Sequence, residues 1–489
     1  MLFNSLDFAV FFPIVFVLYW LVSQKLYLRN ILILVSSYVF YGWWDWRFLI
    51  LIVISSLVDF YVGQQLDKTE DSKKRKMFLY LSLLVNLGFL FYFKYTNFFI
   101  DTFVDSFKLF GKTLEVSTLN IILPVGISFY TFQTLSYTID IYRKQLKPTK
   151  DPIAFFAFVA FFPQLVAGPI ERASHLLPQF YKTYKFNYNQ VKSGLLLMAF
   201  GLFKKMVIAD RAALYVNEVY NNPGNYEGVE TIIATVLFAF QIYCDFSGYS
   251  DIAIGAARTM GFDLMKNFDS PYLSKSITEF WRRWHISLST WFRDYVYIPL
   301  GGSRNGKYRT YANLFIVFLV SGLWHGAAMT FVIWGAIHGL IIVLEKATSK
   351  PKDILFQKLN MNKANLSNKL VFIFITFTIV CFAWVFFRAN TFADAQLIVS
   401  GFFNNNFYEL FGDQLYLIGL KENEFTLLML TILGLVFIER FHRKQSLFKI
   451  LNQQALPFRW AVYVCIGLFI TLFGVYGDTI ASEFIYFQF

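Results

Sequence analysis

The chain has 489 residues, 56% of them hydrophobic and only 16% charged, with 60 Phe, 29 Tyr and 11 Trp. A soluble globular domain carries roughly 25% charged residues, so this composition excludes an ordinary water-soluble fold. The formal charge of +12 is no nucleic-acid footprint, because the 44 Lys and Arg are spread among separate loops.

In chain order, apolar runs lie near 8–23, 31–43, 48–63, 78–95, 118–137, 192–209, 231–244, 311–324, 327–345, 370–387, 425–438 and 459–475. Several fall short of the ~20 residues that cross a bilayer as a helix, so their ends borrow flanking residues. The expected fold is an all-α integral membrane protein, a polytopic helical bundle of about eleven to thirteen membrane elements. The longest polar stretches, near 96–117, 215–230, 346–369 and 388–424, are loop-sized, so residues 1–489 read as a single membrane domain. The chain lacks the internal repeat that builds inverted-repeat transporters.

Asp67–Lys76, Lys346–Lys369 and Glu439–Arg459 are rich in Lys and Arg, whereas Arg388–Glu424 is acidic. Basic short loops stay on the cytoplasmic side, which sets those three stretches inside and Arg388–Glu424 and the C-terminus outside. The same rule puts the N-terminus outside, Gln24–Arg29 inside and Trp43–Arg47 in an outer turn. Asp7 precedes the first apolar run and no basic n-region or small-residue cleavage pattern accompanies it, so the first span is expected to be retained. A multi-pass location in the cytoplasmic (inner) membrane follows as the expectation.

Two regions break the helical pattern and are expected to be re-entrant or interfacial. Asp151–Tyr184 is apolar but interrupted by Pro163, Pro169 and Pro178, with Gly168-Pro169-Ile170-Glu171-Arg172 at its centre. Non-helical backbone at membrane depth survives only where protein buries it or a wet cavity receives it. Asp263–Tyr311 is dense in aromatics and arginines. Within it, Trp281, Trp284, Leu288, Trp291 and Tyr295 recur at three-four spacing, so one amphipathic helix over Thr278–Tyr295 is expected, with Arg282, Ser289 and Arg293 on the neighbouring face and His285 close to both. Such a helix anchors at the interface or dips into the bundle.

His325 lies in Thr310–Glu345, a segment with no Asp, Glu, Lys or Arg until its last residue. An ionisable group at membrane depth is costly and marks function by default, and imidazole can act as a base near neutral pH. The bland alternative is a packed histidine bonded to a backbone carbonyl. Gly322 and Gly326 permit close approach of backbone or ligand beside it. His285 is the second candidate; its alternative is an interfacial histidine bonded to headgroup or water. Two histidines with arginines nearby suit a site that takes a hydroxyl proton and holds an anionic ligand.

Asp245 follows Gln241 by four residues on one helical face and is expected to pair with Arg282, Arg283 or Arg293, a structural role favoured over direct catalysis. Glu171 has the same standing, His338 reads as a packing residue, and His175 and His442 as loop residues. Cys244, Cys381 and Cys465 have neither metal-type spacing nor the even count of a disulfide framework, and read as small apolar residues. Without a third His or a Cys at ligand spacing, no metal site is expected. The HExxH, GxSxG, Walker A and GxGxxG signatures are absent. A proton-coupled transporter with His325, His285 and Asp245 as relay stands as the rival from another class, and a scaffold for polymer export as a third reading.

Several stretches together resemble the membrane-bound O-acyltransferases, in particular their alginate O-acetylation branch. They are Met1-Leu2-Phe3-Asn4-Ser5, Pro124-Val125-Gly126-Ile127-Ser128-Phe129-Tyr130, Phe162-Pro163-Gln164 through Gly168-Pro169-Ile170-Glu171-Arg172, Asp245-Phe246-Ser247-Gly248-Tyr249-Ser250-Asp251, Phe280-Trp281-Arg282-Arg283-Trp284-His285, Gly322-Leu323-Trp324-His325-Gly326, Trp384-Val385-Phe386-Phe387-Arg388 and Phe484-Ile485-Tyr486-Phe487. The resemblance implies a bundle around a central funnel, with His325 as the catalytic histidine and His285 as the second. Trp324, Arg282, Trp281, Ser289, Gln241, Asp245 and Glu171 are the candidates for lining the substrate or donor channel. An acetyl group would pass from a cytoplasmic-side donor, acetyl-CoA, toward an exported polysaccharide, with an esterase-like extracytoplasmic partner making the final transfer. D-alanyl transfer and peptidoglycan O-acetylation are the alternatives within the same family.

Overall fold

The computed structural model describes residues 1–109, 119, 121–166, 168–358, 361–362, 365–404, 412–442, 447–477 and 484–485. Among these residues every regular element is helical, and the protein is a polytopic helical membrane protein. In chain order the helices are α1 (Leu6–Val22), α2 (Leu26–Asp45), α3 (Leu49–Lys68), α4 (Ser72–Leu90), α5 (Thr96–Leu109), α6 (Ile127–Tyr142), α7 (Pro152–Val159), α8 (Phe162–Leu165), α9 (Ala173–Leu176), α10 (Tyr188–Leu202) and α11 (Asp210–Asn221). They continue with α12 (Val229–Thr259), α13 (Ile277–Trp281), α14 (Ile286–Phe292), α15 (Gly306–His325), α16 (Met329–Ala347), α17 (Ser349–Lys358), α18 (Leu366–Arg388), α19 (Phe392–Gly401), α20 (Glu422–His442), α21 (Leu447–Asn452) and α22 (Leu456–Phe473).

Among the described residues six stretches are long and apolar enough to cross a bilayer: Leu26–Lys68, Ser72–Val104, Val229–Thr259, Met329–Ala347, Leu366–Arg388 and Leu456–Phe473. At ~1.5 Å per residue the 43 residues of Leu26–Lys68 would run about 65 Å, twice the ~30 Å hydrocarbon core. The chain therefore divides there, and it does so at Asp45. That residue leaves the helical region (φ −160°, ψ 108°) and its carboxylate binds the Arg47 amide and guanidinium.

The chain packs as two compact units, one of residues Met1–Met198 and Ser250–Met265, the other of Ala199–Tyr249 and Lys266–Phe489. In the first unit a polar knot ties three apolar helices. Asp59 on α3 accepts hydrogen bonds from Ser82 and Asn86 on α4 (2.9 Å for Asn86) and from Thr138 on α6 (3.1 Å). Asn86 in turn accepts from Ser55 (2.6 Å) and Thr134 (3.3 Å). Every donor in the knot is buried, so none can be left to water without the cost of an unmet polar group. The apolar run near 118–137 becomes helical only at Ile127. Its Pro124-Val125-Gly126 entry turns through Gly126 at φ +74°, where a Cβ would lie 2.8 Å from the Leu165 carbonyl. The proline-broken region after Asp151 forms the short helices α7 to α9, and Phe155, Phe158, Phe161 and Phe162 are fully buried, as irregular backbone at this depth requires.

In the second unit α15 and α16 form an antiparallel hairpin whose backbones touch. A Cβ on Gly322 would lie 2.3 Å from the Phe331 carbonyl, and one on Gly335 2.4 Å from that of Phe318. The hairpin sets the basic flank Arg304-Lys307-Arg309 and the basic Lys346 at the same end. All four stretches expected as loops carry helix: α5 occupies Thr96–Leu109, α11 extends to Asn221, α17 occupies Ser349–Lys358 and α19 Phe392–Gly401. Propensity in these polar segments is realised because each packs on an apolar neighbour.

The arginine pairing expected for Asp245 is overturned. Lys205, inside the apolar run 192–209, places its ammonium 2.7 Å from Asp245 and 2.7 Å from Asp210, and the Ile485 amide donates to Asp245 at 2.6 Å. Arg283 instead binds Glu279, and Arg293 binds Asp294. A π-helical turn over Phe203–Ala209 brings Lys205 and Asp210 together on this stretch. All three charged groups are buried, so removing one leaves others uncompensated. Lys205→Met is expected to lower unfolding stability by about 3–5 kcal/mol, seen as a lower Tm in detergent. Adding Asp210→Asn and Asp245→Asn to the same chain recovers most of that loss.

Candidate functional site

α15 ends at His325 because the next residues cannot continue it. Gly326 is extended (φ −156°, ψ 150°), Ala328 is extended too, and α16 starts at Met329. A side chain on Gly326 would run into the Phe331 ring, its Cβ 2.1 Å from a ring carbon. The glycines flanking His325 thus serve close approach of the α16 backbone and of Phe331. His325 is held at the hairpin's tip, 3% exposed. Its ring sits among Trp324, Trp334 and Phe387, with centroids 4.8, 5.0 and 5.3 Å away.

The expected single helix over Thr278–Tyr295 is broken. α13 ends at Trp281, and His285 takes a left-handed conformation (φ 44°, ψ 55°) before α14 begins. Histidine tolerates this region better than most residues, and local bonds hold it there. The Ile286 amide donates to the Asn267 carbonyl at 2.9 Å, while Ser287 Oγ donates to Asn267 Oδ1 at 2.9 Å. His285 Nδ1 lies 3.0 Å from the same Oδ1. The Ser287 amide also points at that atom from 3.4 Å, and an amide can only donate, so the atom is an acceptor. His285 therefore presents a proton from Nδ1 and, in the neutral ring, keeps its lone pair on Nε2. A break in the helix, not its periodicity, positions this imidazole.

The two histidines meet one aromatic cluster. Trp324 packs 6.0 Å from His285 and 4.8 Å from His325, and Phe246, next to Asp245, stands edge-on to His285 at 4.6 Å. Trp281 is buried, but its indole N–H donates to His338 Nδ1 at 3.2 Å, and Trp334 lies 5.0 Å from both His338 and His325. Trp281 also packs directly on Trp334 at 5.6 Å, so His338, read as packing, adds a polar contact to a ring already in the cluster.

The remaining candidates fall elsewhere. Arg282 is exposed and faces away from the cluster into a surface groove. Ser289 is half-buried and donates to the Trp284 carbonyl at 3.3 Å. Gln241 is buried on α12, one turn before Asp245, whose carboxylate belongs to Lys205. Glu171 lies in the other unit. There it accepts from His175 at 2.7 Å and from the Met265 amide at 2.5 Å, and His175 Nε2 reaches Asp263 at 3.7 Å. Asn267, Trp334 and Lys205 were not singled out in the sequence, and Phe387 only as part of a matching stretch. Only Lys205 carried a signal, as a charge inside an apolar run. Among the described residues no group of three or more His, Cys, Asp or Glu is placed to hold a metal ion, and Cys244 and Cys381 are buried free thiols.

Burial raises the Glu171 carboxyl above its usual range, and the hydrogen bond to Glu171 raises His175 above its ordinary 6.5. A raised folded-state value means that the protonated His175 favours the fold. Its contribution is complete below 6.5 and is lost as pH climbs through the raised value. Melting curves across pH 5 to 9 are expected to show the gap between the natural chain and His175→Gln closing at the alkaline end.

The sequence profile of the membrane-bound O-acyltransferase family matches residues 143–382, a stretch containing both His285 and His325. The chain is 40% identical over 414 residues to the probable alginate O-acetylase of Pseudomonas aeruginosa, covering 84% of this chain and 76% of that protein. It is 35% identical over 433 residues to the peptidoglycan O-acetyltransferase of Helicobacter pylori, covering 82% and 79%. With the teichoic acid D-alanyltransferase of Bacillus subtilis it shares 28% identity over 290 residues, 56% of this chain and 70% of that protein.

Proposed function

The chain belongs to the membrane-bound O-acyltransferase family and is an O-acyltransferase, and we propose that it moves an acetyl group from acetyl-CoA on the cytoplasmic side toward an exported alginate-like polysaccharide. The observation that carries this reading is His325 at the tip of the glycine-tight hairpin, with His285 packed on the same Trp324 ring. The identities to O-acetylating relatives, higher than to the D-alanyl-transferring one, support acetyl as the group moved. The Helicobacter pylori relative keeps peptidoglycan as the second acceptor to test. The cytoplasmic membrane is the proposed location.

In the proposed reaction His325 takes the proton of an acceptor hydroxyl, and that oxygen attacks the carbonyl carbon of the acetyl thioester. The tetrahedral intermediate collapses with cleavage of the C–S bond, and the leaving thiolate recovers the proton from the imidazolium. The products are an O-acetyl ester and a free thiol. Alternatively the imidazole nitrogen attacks first, releases the thiol and carries the acetyl group until the hydroxyl displaces it. In either route the acceptor hydroxyl belongs to the polymer or to an esterase-like extracytoplasmic partner. His285, oriented by Asn267, is the second base and accepts the incoming hydroxyl's hydrogen bond on its Nε2 lone pair. The aromatic walls exclude water, which would otherwise hydrolyse the thioester.

His325→Ala is expected to cut acetylation of the exported polymer by about 10²–10⁴-fold with unchanged protein in the membrane fraction. Normal acetylation in that variant would falsify the assignment. Acid quenching during turnover of radiolabelled acetyl-CoA separates the routes, since only the second leaves label on His325. Asn267→Ala is expected to lower kcat by about 10-fold or more while leaving KM for the donor little changed, because it frees the His285 ring to take the other tautomer. An unaltered kcat removes Asn267 from this role.

A further inference from the structure

A groove of about 620 Å³ opens at the basic end of the α15–α16 hairpin. Its polar wall carries Lys275, Arg282, Lys346 and Lys352, and its apolar wall Leu314, Ile342, Phe356 and Phe372. Three carboxylates, Glu279, Glu345 and Asp353, also line it. Glu345 accepts from the Ile277 and Thr278 amides at 2.7 and 3.0 Å, and Glu279 takes Arg283 and the Lys275 amide. Asp353 is the third. Among the described residues none of the four cations is within ion-pair distance of a carboxylate, and Lys352 lies over the Phe356 and Phe372 rings at 5.9 and 6.0 Å.

The groove stands apart from the histidine cluster. With ~1.5 Å rise per residue, Glu345 lies about 24 Å along α16 from the tip where His325 sits. Its apolar wall continues along α18 from Phe372 to Val371 and Ile375, which are 51% and 48% exposed. In a membrane helix such a face meets acyl chains. Cations at the mouth, an apolar floor and an outward apolar track are the two halves of an amphiphile, set at headgroup level by the basic loop that begins at Lys346.

We propose that this groove is a binding site for one anionic phospholipid of the cytoplasmic leaflet, its phosphate held by Lys346, Lys352, Lys275 and Arg282 and one acyl chain laid over Phe372 and the outer face of α18. The ligand seats α17 and the base of the hairpin whose tip carries His325. The inference does not depend on which polymer accepts the acetyl group, since no step of the reaction enters it.

The test uses the full-length protein in a neutral detergent, equilibrated with mixed micelles of phosphatidylglycerol and phosphatidylcholine and read by native mass spectrometry. One phosphatidylglycerol is expected to be retained in preference to phosphatidylcholine. Lys346→Gln with Lys352→Gln should weaken that retention on the order of 20-fold, and the Lys346→Arg, Lys352→Arg pair should keep it. Lys73→Gln with Lys74→Gln, exposed on α4, should change nothing. Equal retention of the two lipids, or a neutral double variant that holds phosphatidylglycerol as well as the natural chain, overturns the proposal. So does one-for-one displacement of the lipid by micromolar acetyl-CoA, which would give the cations to a soluble phosphate donor. Should the neutral pair fail to give a monodisperse protein, a diazirine phosphatidylglycerol on the natural chain decides: crosslinks to α17 and the first turns of α18 support the site, and their absence there sinks it.

Discussion

No polar group buried in this bundle can count on water, and the partner each one finds settles which backbones come together. Asp59 draws Ser82, Asn86 and Thr138 from two other helices. Arg29, fully buried, donates to the Phe180 carbonyl at 2.7 Å and to that of Lys182, pinning the turn after α9 to α2. Lys205 binds two carboxylates and, through Asp245, the Ile485 amide near the chain's end. In each case the specificity comes from desolvation: many apolar packings are near-equivalent, but few satisfy a buried charge.

The catalytic candidates answer the same constraint with aromatic rings and turn geometry. His325 is fixed by backbone contact between two glycine-bearing helices, so the hairpin tip has little freedom. His285 is fixed by a left-handed residue and the Asn267 side chain. Phe246 links the two kinds of device, since it follows Asp245 in the chain and packs edge-on to His285. The charged triad thus supports the candidate site through a ring. Preorganisation of this sort suits a transfer reaction in which a misplaced water would consume the donor.

Much of this was legible in the residues. The apolar runs locate the helices, since a bilayer demands helices of a given length, and His325 stands out because nothing ionisable surrounds it. The left-handed turn at His285 was not legible, because the three-four stripe from Trp281 to Tyr295 looks the same whether or not the helix breaks at its centre. The partner of Asp245 was missed for a related reason: Arg282, Arg283 and Arg293 lie about as far along the chain as Lys205 does, and sequence distance does not rank them. The Ser55–Asp59, Ser82–Asn86 and Thr134–Thr138 pairs are each four apart on apolar helices, a pattern that announces buried polar faces but not their mutual pairing.

By itself, then, the sequence determined the class of fold and the family and singled out His325 as the candidate, because hydropathy, charge bias and local motifs are properties of adjacent residues. Tertiary structure alone decided that His285 and His325 share the Trp324 ring, that Asn267 selects a tautomer, that Arg282 faces a groove and that Lys205 answers Asp245. Those facts join residues far apart along the chain. Only the exclusion of water from a packed interior, with the choice of partners it forces, brings them into contact.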